Sequence, residues 1–183
     1  TEPNNLLDKQ TSILSVLIAV TTKTDPEIPG GEDMRPPAPV VQIKDVKIDT
    51  ATVFWDHAVK AVGNEEVSYE IIRTKTNPIP AKYTDSYVDS PELYALLATD
   101  LPNTEMVFLK TPPGTSGAGS LQIWTGTGYA PADTADYGLT ITELDVTLVD
   151  RTLTSNEIYY YYVRTVKKTE NGKILVSVFN YNT

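Results

Sequence analysis

The chain of 183 residues contains no cysteine and a single histidine, His57. Without cysteine there are no disulfides, no thiolate metal sites and no thiol nucleophiles. His57 stands beside Asp56, but a Ser/His/Asp triad would also need a nucleophile elbow, which the sequence lacks. The glycine-rich stretch GTSGAGS lacks the Lys-Ser/Thr ending of a phosphate-binding loop. We therefore predict no catalytic, cofactor-binding or metal-binding residues, and a protein that is not an enzyme.

Basic residues are scarce. The chain has 15 lysines and arginines and 24 aspartates and glutamates, which gives a formal net charge of -9. Residues 80–145 alone contribute -7, since nine acids there are accompanied only by Lys82 and Lys110. An acidic surface of this kind repels phosphate backbones, so we expect no nucleic-acid partner. The acids follow no calcium-loop spacing, which favours solvated carboxylates over a metal site.

Long hydrophobic runs are also missing. The longest aliphatic run extends from Ile13 to Val20 and contains Ser15, which is short of the ~20 apolar residues that a membrane span needs. We therefore predict no membrane span. The residues before this run are acidic or neutral, so we expect any secretory signal to be absent from the chain or already removed.

An apolar N-terminal arm, residues 1–21, precedes a segment rich in proline, glycine and acids, residues 22–39, which we predict to be a linker. A helix would align the leucines of the arm on one stripe, and a strand would align alternate aliphatic residues on one face. In either form the arm must bury its apolar face against its own domain, a second copy or another partner. We favour a helix that anchors a homo-oligomer or a larger particle. The residues assigned to this assembly arm are Leu7, Leu14, Leu17 and Ile18.

Alternating apolar residues predict β-strands on both sides of the middle of the chain. The stretches VVQIKDVKIDTATVFWDH and VSYEIIRTK alternate with period two. Near the end, EIYYYYVRTV and KILVSVF are joined across Asn171-Gly172, a dipeptide that suits a tight hairpin turn. We predict that the last two strands are adjacent and antiparallel.

These strands resemble the A, B, C, E and F strands of a fibronectin type III domain of the bacterial and phage type. The matching features are Trp55 at the end of the second strand and Leu153 six residues before a corner tyrosine, Tyr159. The resemblance covers residues 38–76 and 144–183, and it implies a mainly β, Ig-like β-sandwich over residues 38–183 that carries no activity of its own. The predicted core markers are Trp55, Tyr69, Leu153 and Tyr159.

The sequence departs from that family between residues 77 and 143, which we predict to be a small α+β insertion. Ser90 is placed to cap a helix that has Pro91 at its first position. Two apolar strands, residues 106–110 and 121–125, follow. The stretch SLQIWTGTGYAP is similar to the W-x-G-x-x-Y hairpins of phage virion proteins, although Trp124 and Tyr129 can equally form a small core around a glycine turn.

Four aromatic side chains form the predicted exposed binding surface. Strand alternation from Tyr159 turns Tyr160 and Tyr162 outward, and Trp124 and Tyr129 of the hairpin join them. Cross-strand packing and a ligand platform, with a surface glycan as the ligand, are both consistent with this pattern.

The functional hypothesis is a non-enzymatic structural or decoration module of a phage virion, in the capsid, a head fibre or the tail. The arm anchors it to protein partners, and the sandwich and the insertion are displayed. One alternative is a secreted or cell-surface bacterial module for adhesion, carbohydrate binding or spacing, and a second is an accessory domain of a hydrolase.

Overall fold

The computed structural model describes residues 35–59, 65–114 and 120–182. The assembly arm, with Leu7, Leu14, Leu17 and Ile18, and most of the predicted linker lie outside the described residues. Residues 35–39, at the end of that linker, contact the folded domain, because Thr165 Oγ1 donates a hydrogen bond of 2.8 Å to the carbonyl oxygen of Pro37.

The described residues form eleven strands and two helices. In chain order these are β1 (Val41–Lys44), β2 (Ala51–Asp56), β3 (Glu66–Lys75), α1 (Ala81–Thr84), α2 (Ser90–Asp100), β4 (Met106–Lys110), β5 (Gln122–Trp124), β6 (Tyr129–Pro131), β7 (Tyr137–Ile141), β8 (Asp145–Asp150), β9 (Tyr159–Lys168), β10 (Ile174–Val176) and β11 (Asn180–Asn182).

Two antiparallel sheets make up the architecture. The first sheet has the strand order β1-β2-β8-β7, and the second has the order β10-β9-β3-β4-β5-β6 with β11 also paired to β9. The predicted mainly β sandwich is therefore confirmed, and its topology is compatible with an Ig-like or fibronectin type III-like domain.

The inner core lies between the sheets and follows from strand alternation. In β2 the residues Ala51, Val53 and Trp55 are buried, and Val146 and Leu148 of β8 face the same interior. Trp55 meets Tyr69 of β3 edge to face, with ring centroids 5.5 Å apart. Tyr159 is also buried in this core, and Leu153 packs against it while partly exposed.

Tyr159, the predicted corner tyrosine, makes a hydrogen bond to the loop that precedes its strand. The backbone N–H of Thr154 donates to Tyr159 Oη over 2.8 Å, which ties the loop after β8 to the start of β9. The predicted core positions of Trp55, Tyr69 and Tyr159 are thus confirmed, with Leu153 at the edge of the same cluster.

An outer core lies on the opposite face of the second sheet. Its buried members come from β3, β9, the two helices, the segment before α1 and the segment before β11, and they are Ile72, Ile79, Tyr83, Leu93, Tyr94, Leu97, Tyr162 and Phe179. Leu93, Tyr94 and Leu97 lie on one side of α2, at the spacing that brings helical side chains together. The helices therefore form a third layer over the sheet.

The predicted insertion contributes to both sheets. Strands β4, β5 and β6 extend the second sheet outward from β3, whereas β7 joins the first sheet beside β8. Ser90 is the first residue of α2 and Asp89 is its N-cap, without a capping side-chain hydrogen bond. The predicted capping role of Ser90 is wrong, because its Oγ accepts a hydrogen bond of 2.8 Å from Arg164 Nη2 instead.

Two glycine turns close hairpins. Gly172 has φ of 78° in the turn between β9 and β10, as expected for Asn-Gly, and the two strands pair antiparallel. Gly126 has φ of 97° in the turn between β5 and β6, where Trp124 pairs with Tyr129. The predicted hairpin across Asn171-Gly172 is confirmed, and its second strand is divided into β10 and β11, which both pair antiparallel with β9.

Candidate functional site

Tyr162 does not belong to an exposed surface. Its side chain is 1% exposed, and the backbone N–H of Ile79 donates to its hydroxyl over 2.9 Å. The prediction of an exposed Tyr162 is therefore wrong. Strand alternation does turn this residue away from the inner core, but the helical layer then covers the outward face.

Trp124, Tyr129 and Tyr160 are partly exposed at the margin of the outer core. The Tyr129 hydroxyl lies 2.8 Å from the Tyr94 hydroxyl, and Trp124 meets Tyr129 edge to face at 5.2 Å. Burial raises the pKa of Tyr129 and of Tyr94. The hairpin aromatics thus contribute to packing under α2 while they stay partly exposed.

A buried ion pair holds the start of α2 against the second sheet. Arg164 on β9 and Glu70 on β3 are cross-strand partners, and Arg164 Nε donates to Glu70 Oε2 over 2.8 Å. Arg164 Nη1 and Nη2 donate to the carbonyl oxygen of Val88 and to Ser90 Oγ. Two nitrogens of this guanidinium therefore bond to the start of α2, and the third bonds to Glu70 of the sheet.

A second buried charge network lies in the inner core. Asp150 accepts hydrogen bonds from Arg73 Nη1 at 2.8 Å and from the Tyr161 hydroxyl at 2.9 Å. Thr152 donates to the same carboxylate through its backbone N–H and its hydroxyl. Burial, followed by the charge of Asp150, raises the pKa of Tyr161. The network connects β3, β8 and β9. The Asp150 carboxylate accepts these hydrogen bonds from side chains and backbone of the sandwich itself.

His57 also makes scaffold contacts. Its Nδ1 lies 2.9 Å from the Tyr69 hydroxyl, and its Nε2 lies 2.8 Å from the carbonyl oxygen of Thr142. The Ala58 N–H donates to the same tyrosine hydroxyl over 3.2 Å. Burial raises the pKa of Tyr69 to about 12. These bonds connect the end of β2 to the turn between β7 and β8.

Residues 35–59, 65–114 and 120–182 contain no group of three or more histidine, cysteine, aspartate or glutamate side chains placed to hold a metal ion. None of the helices in these ranges has the length and hydropathy required to cross a membrane.

An open groove of about 480 Å³ lies at one end of the sandwich. Its walls are residues 46–48, which belong to the loop between β1 and β2, and residues 153–158, which belong to the loop between β8 and β9. The side chains of Ile43 and Tyr161 form part of its lining, next to the inner core. The volume lies within the roughly 300–1,000 Å³ that is usual for ligand pockets.

Three aliphatic side chains, which we call the apolar rim, stand exposed around the groove. Val46 is 70% exposed, Ile48 is 74% exposed and Ile158 is 56% exposed. Sequence reasoning missed the rim because the whole stretch from residue 40 to residue 57 was read as alternating strand, although Val46 and Ile48 are out of phase with Val41 and Ile43. In the structure β1 ends at Lys44, and Asp45 has φ of 50°, which turns the chain out of the sheet.

Comparison of the chain with known protein families and with curated proteins found no match. The candidate functional site is therefore defined by its geometry, as the groove together with its apolar rim.

Proposed function

We propose that this protein is a non-enzymatic structural or decoration module of a phage virion, anchored by its N-terminal arm. The observation that carries the proposal is the apolar rim, because three neighbouring aliphatic side chains exposed at 56% or more are typical of a protein-binding surface. The rim lies at one end of a sandwich, where loops are available for contact with a partner.

The rest of the molecule supports a scaffold role. Arg164 with Glu70, and Arg73 with Asp150, connect strands and a helix in the two cores. Buried, hydrogen-bonded charges of this kind hold elements at fixed positions, which suits a module that displays or spaces other parts of an assembly. The acidic stretch of residues 80–145 favours solubility of the displayed part.

The assignment to a virion comes from sequence resemblance. The strands resemble fibronectin type III domains of the bacterial and phage type, and residues 120–131 are similar to W-x-G-x-x-Y hairpins of virion proteins. An antibody raised against the sandwich should label purified phage particles in electron micrographs. Particles that remain unlabelled although the antibody binds the isolated protein would contradict the proposal.

The role of the arm is tested by removing it. The chain of residues 25–183 should retain the far-ultraviolet circular dichroism of a β protein and should elute as a single chain in light scattering. The full chain should show a mass that is a multiple of 20.1 kDa. The anchoring role fails if the full chain is a monomer, or if the truncated chain assembles equally well.

One observation favours a second function, glycan binding by a cell-surface or secreted module. Trp124, Tyr129 and Tyr160 are partly exposed, and partly exposed aromatic rings can pack against sugars. If this function is correct, Trp124→Ala should abolish retention on a glycan array that the full chain binds. Tyr181→Ala, which changes an exposed aromatic residue on β11, should leave retention unchanged.

A further inference from the structure

We propose that the groove binds residues 12–20 of the N-terminal arm of a neighbouring copy of the same chain. This inference rests on the arm-mediated assembly proposed above, and it adds the surface that receives the arm. Reciprocal exchange of two arms would give a closed dimer, and donation in one direction would give a longer array.

The chemistry of the groove favours an aliphatic occupant. The apolar rim and Ile43 give it an aliphatic surface. Its charged side chains are Lys47 and Glu157, and Glu157 already lies 3.5 Å from Lys75 Nζ and 3.2 Å from Thr76 Oγ1. An aliphatic segment can cover the rim without burying a charge of its own.

The arm contains the segment that fits this description. Residues 10–22, QTSILSVLIAVTT, carry no charged side chain and include the longest aliphatic run of the chain. Burial of aliphatic side chains on both partners removes apolar area from water at about 25 cal/mol per Å². The groove and the arm thus each provide the apolar surface that the other needs.

The neighbouring copy follows from the proposed function, in which the arm joins copies of the chain. Arg35 Nη1 lies 3.4 Å from the carbonyl oxygen of Val176, and Pro37 contacts Thr165, so the described chain begins beside β9 and β10. The fourteen residues 21–34 reach about 43 Å if they are extended as in proline-rich chains, a length that can carry the arm to a second copy.

Single substitutions in the full chain test the groove. Ile48→Asp places a charge on the rim at a side chain that is 74% exposed, so the fold should tolerate it. The matched control is Leu144→Asp, at a side chain that is 70% exposed in the turn at the opposite end of the first sheet. In light scattering the Ile48→Asp chain should be reduced to one chain, and the Leu144→Asp chain should assemble like the unmodified protein.

A third variant, Leu17→Asp, separates the failure of this inference from failure of the proposed function. If Leu17→Asp abolishes assembly and Ile48→Asp does not, the arm anchors the protein at another surface and the groove proposal is overturned. If Leu17→Asp leaves assembly intact, the arm-mediated function itself fails, and this inference fails with it.

The absence of cysteine allows a direct test of which copy supplies the arm. Leu17→Cys is introduced into a tagged chain and Ile48→Cys into an untagged chain, and the two are mixed and oxidised. A disulfide between tagged and untagged chains is the expected product, and Leu144→Cys in place of Ile48→Cys should not give it. A chain with both substitutions that closes only an internal disulfide would overturn binding between copies.

Discussion

Trp55 is the largest side chain of the inner core and is fully buried there. Its ring meets Tyr69, while its Nε1 has no hydrogen-bond partner among the described residues. A buried N–H without a partner costs stability, so the contribution of Trp55 must come from the apolar area of its ring.

We predict that Trp55→Ala lowers the free energy of unfolding by about 3 to 5 kcal/mol, because it leaves a large cavity between the sheets. Trp55→Phe should cost less, since it removes the unpaired N–H together with part of the ring. Urea unfolding followed by circular dichroism measures both changes, with Leu144→Ala as the exposed control. A cost below ~1 kcal/mol for Trp55→Ala would show that the ring is not a core residue.

The buried tyrosines predict a loss of stability in alkali. Burial raises the pKa of Tyr69 to about 12 from its ordinary value near 10. Above pH 10 the unfolded chain releases this proton while the folded chain retains it, so the free energy of unfolding falls as the pH rises from about 10 to about 12. Burial raises the pKa of Tyr161 in the same direction.

Urea unfolding at several pH values between 9 and 12 should show this decline, and Tyr69→Phe should make it less steep. Leu144→Ala, at an exposed side chain that carries no ionisable group, should leave the slope as it is in the unmodified chain. A Tyr69→Phe chain with an unchanged slope would mean that this phenol titrates alike in the folded and unfolded states.

At the scale of elements, α2 depends on one arginine of the sheet beneath it. Arg164 donates to Glu70, to the carbonyl oxygen of Val88 and to Ser90 Oγ, at the point where the helix begins. The apolar side of α2 then joins the outer core, where the Tyr94 ring stacks on Phe108 of β4 with centroids 4.0 Å apart. The ion pair therefore fixes the position of a layer that apolar packing stabilises.

We predict that Arg164→Met increases amide hydrogen exchange in α2 more than in β2, because Glu70 loses its closest cation and the helix its hydrogen bonds. The loss of stability should be about 3 to 5 kcal/mol, as for other broken buried pairs. The double variant Arg164→Met with Glu70→Gln should recover part of this loss, since no unpaired charge then remains buried beneath α2. Equal increases in exchange in α2 and β2 would contradict a local role.

The sequence predicts the elements of the sandwich better than the layer over it. Alternation and the Asn-Gly dipeptide are local signals, and they identified β2, β3, β9 and the final hairpin. Ser90 and Pro91, which are also local signals, predicted a helix at the position of α2. They do not say what a helix packs against, and for this reason Tyr162 was predicted to be exposed although α2 and its neighbours cover it. The groove likewise depends on two loops that are about a hundred residues apart in the chain.

At the scale of the whole molecule, β3 and β9 belong to both cores. Ile71 of β3 faces the inner core and Ile72, the next residue, faces the outer core. On β9, Tyr161 and Tyr162 are divided in the same way. Loss of either core would expose one face of the same two central strands, so both cores depend on the second sheet.

We therefore predict that the two cores unfold in a single transition. The chain has two tryptophans, with Trp55 in the inner core and Trp124 beside the outer core. In the variant Trp124→Phe the fluorescence reports Trp55, and in Trp55→Phe it reports Trp124. Each substitution itself changes stability. The fluorescence curve of a variant is therefore compared with the circular dichroism curve of the same variant, which reports the whole fold. In both variants the fluorescence and circular dichroism curves should coincide in urea. If Trp124 fluorescence changes at lower urea than the circular dichroism of the same variant, the helical layer and the hairpin unfold as a separate unit, and the shared strands do not couple the cores.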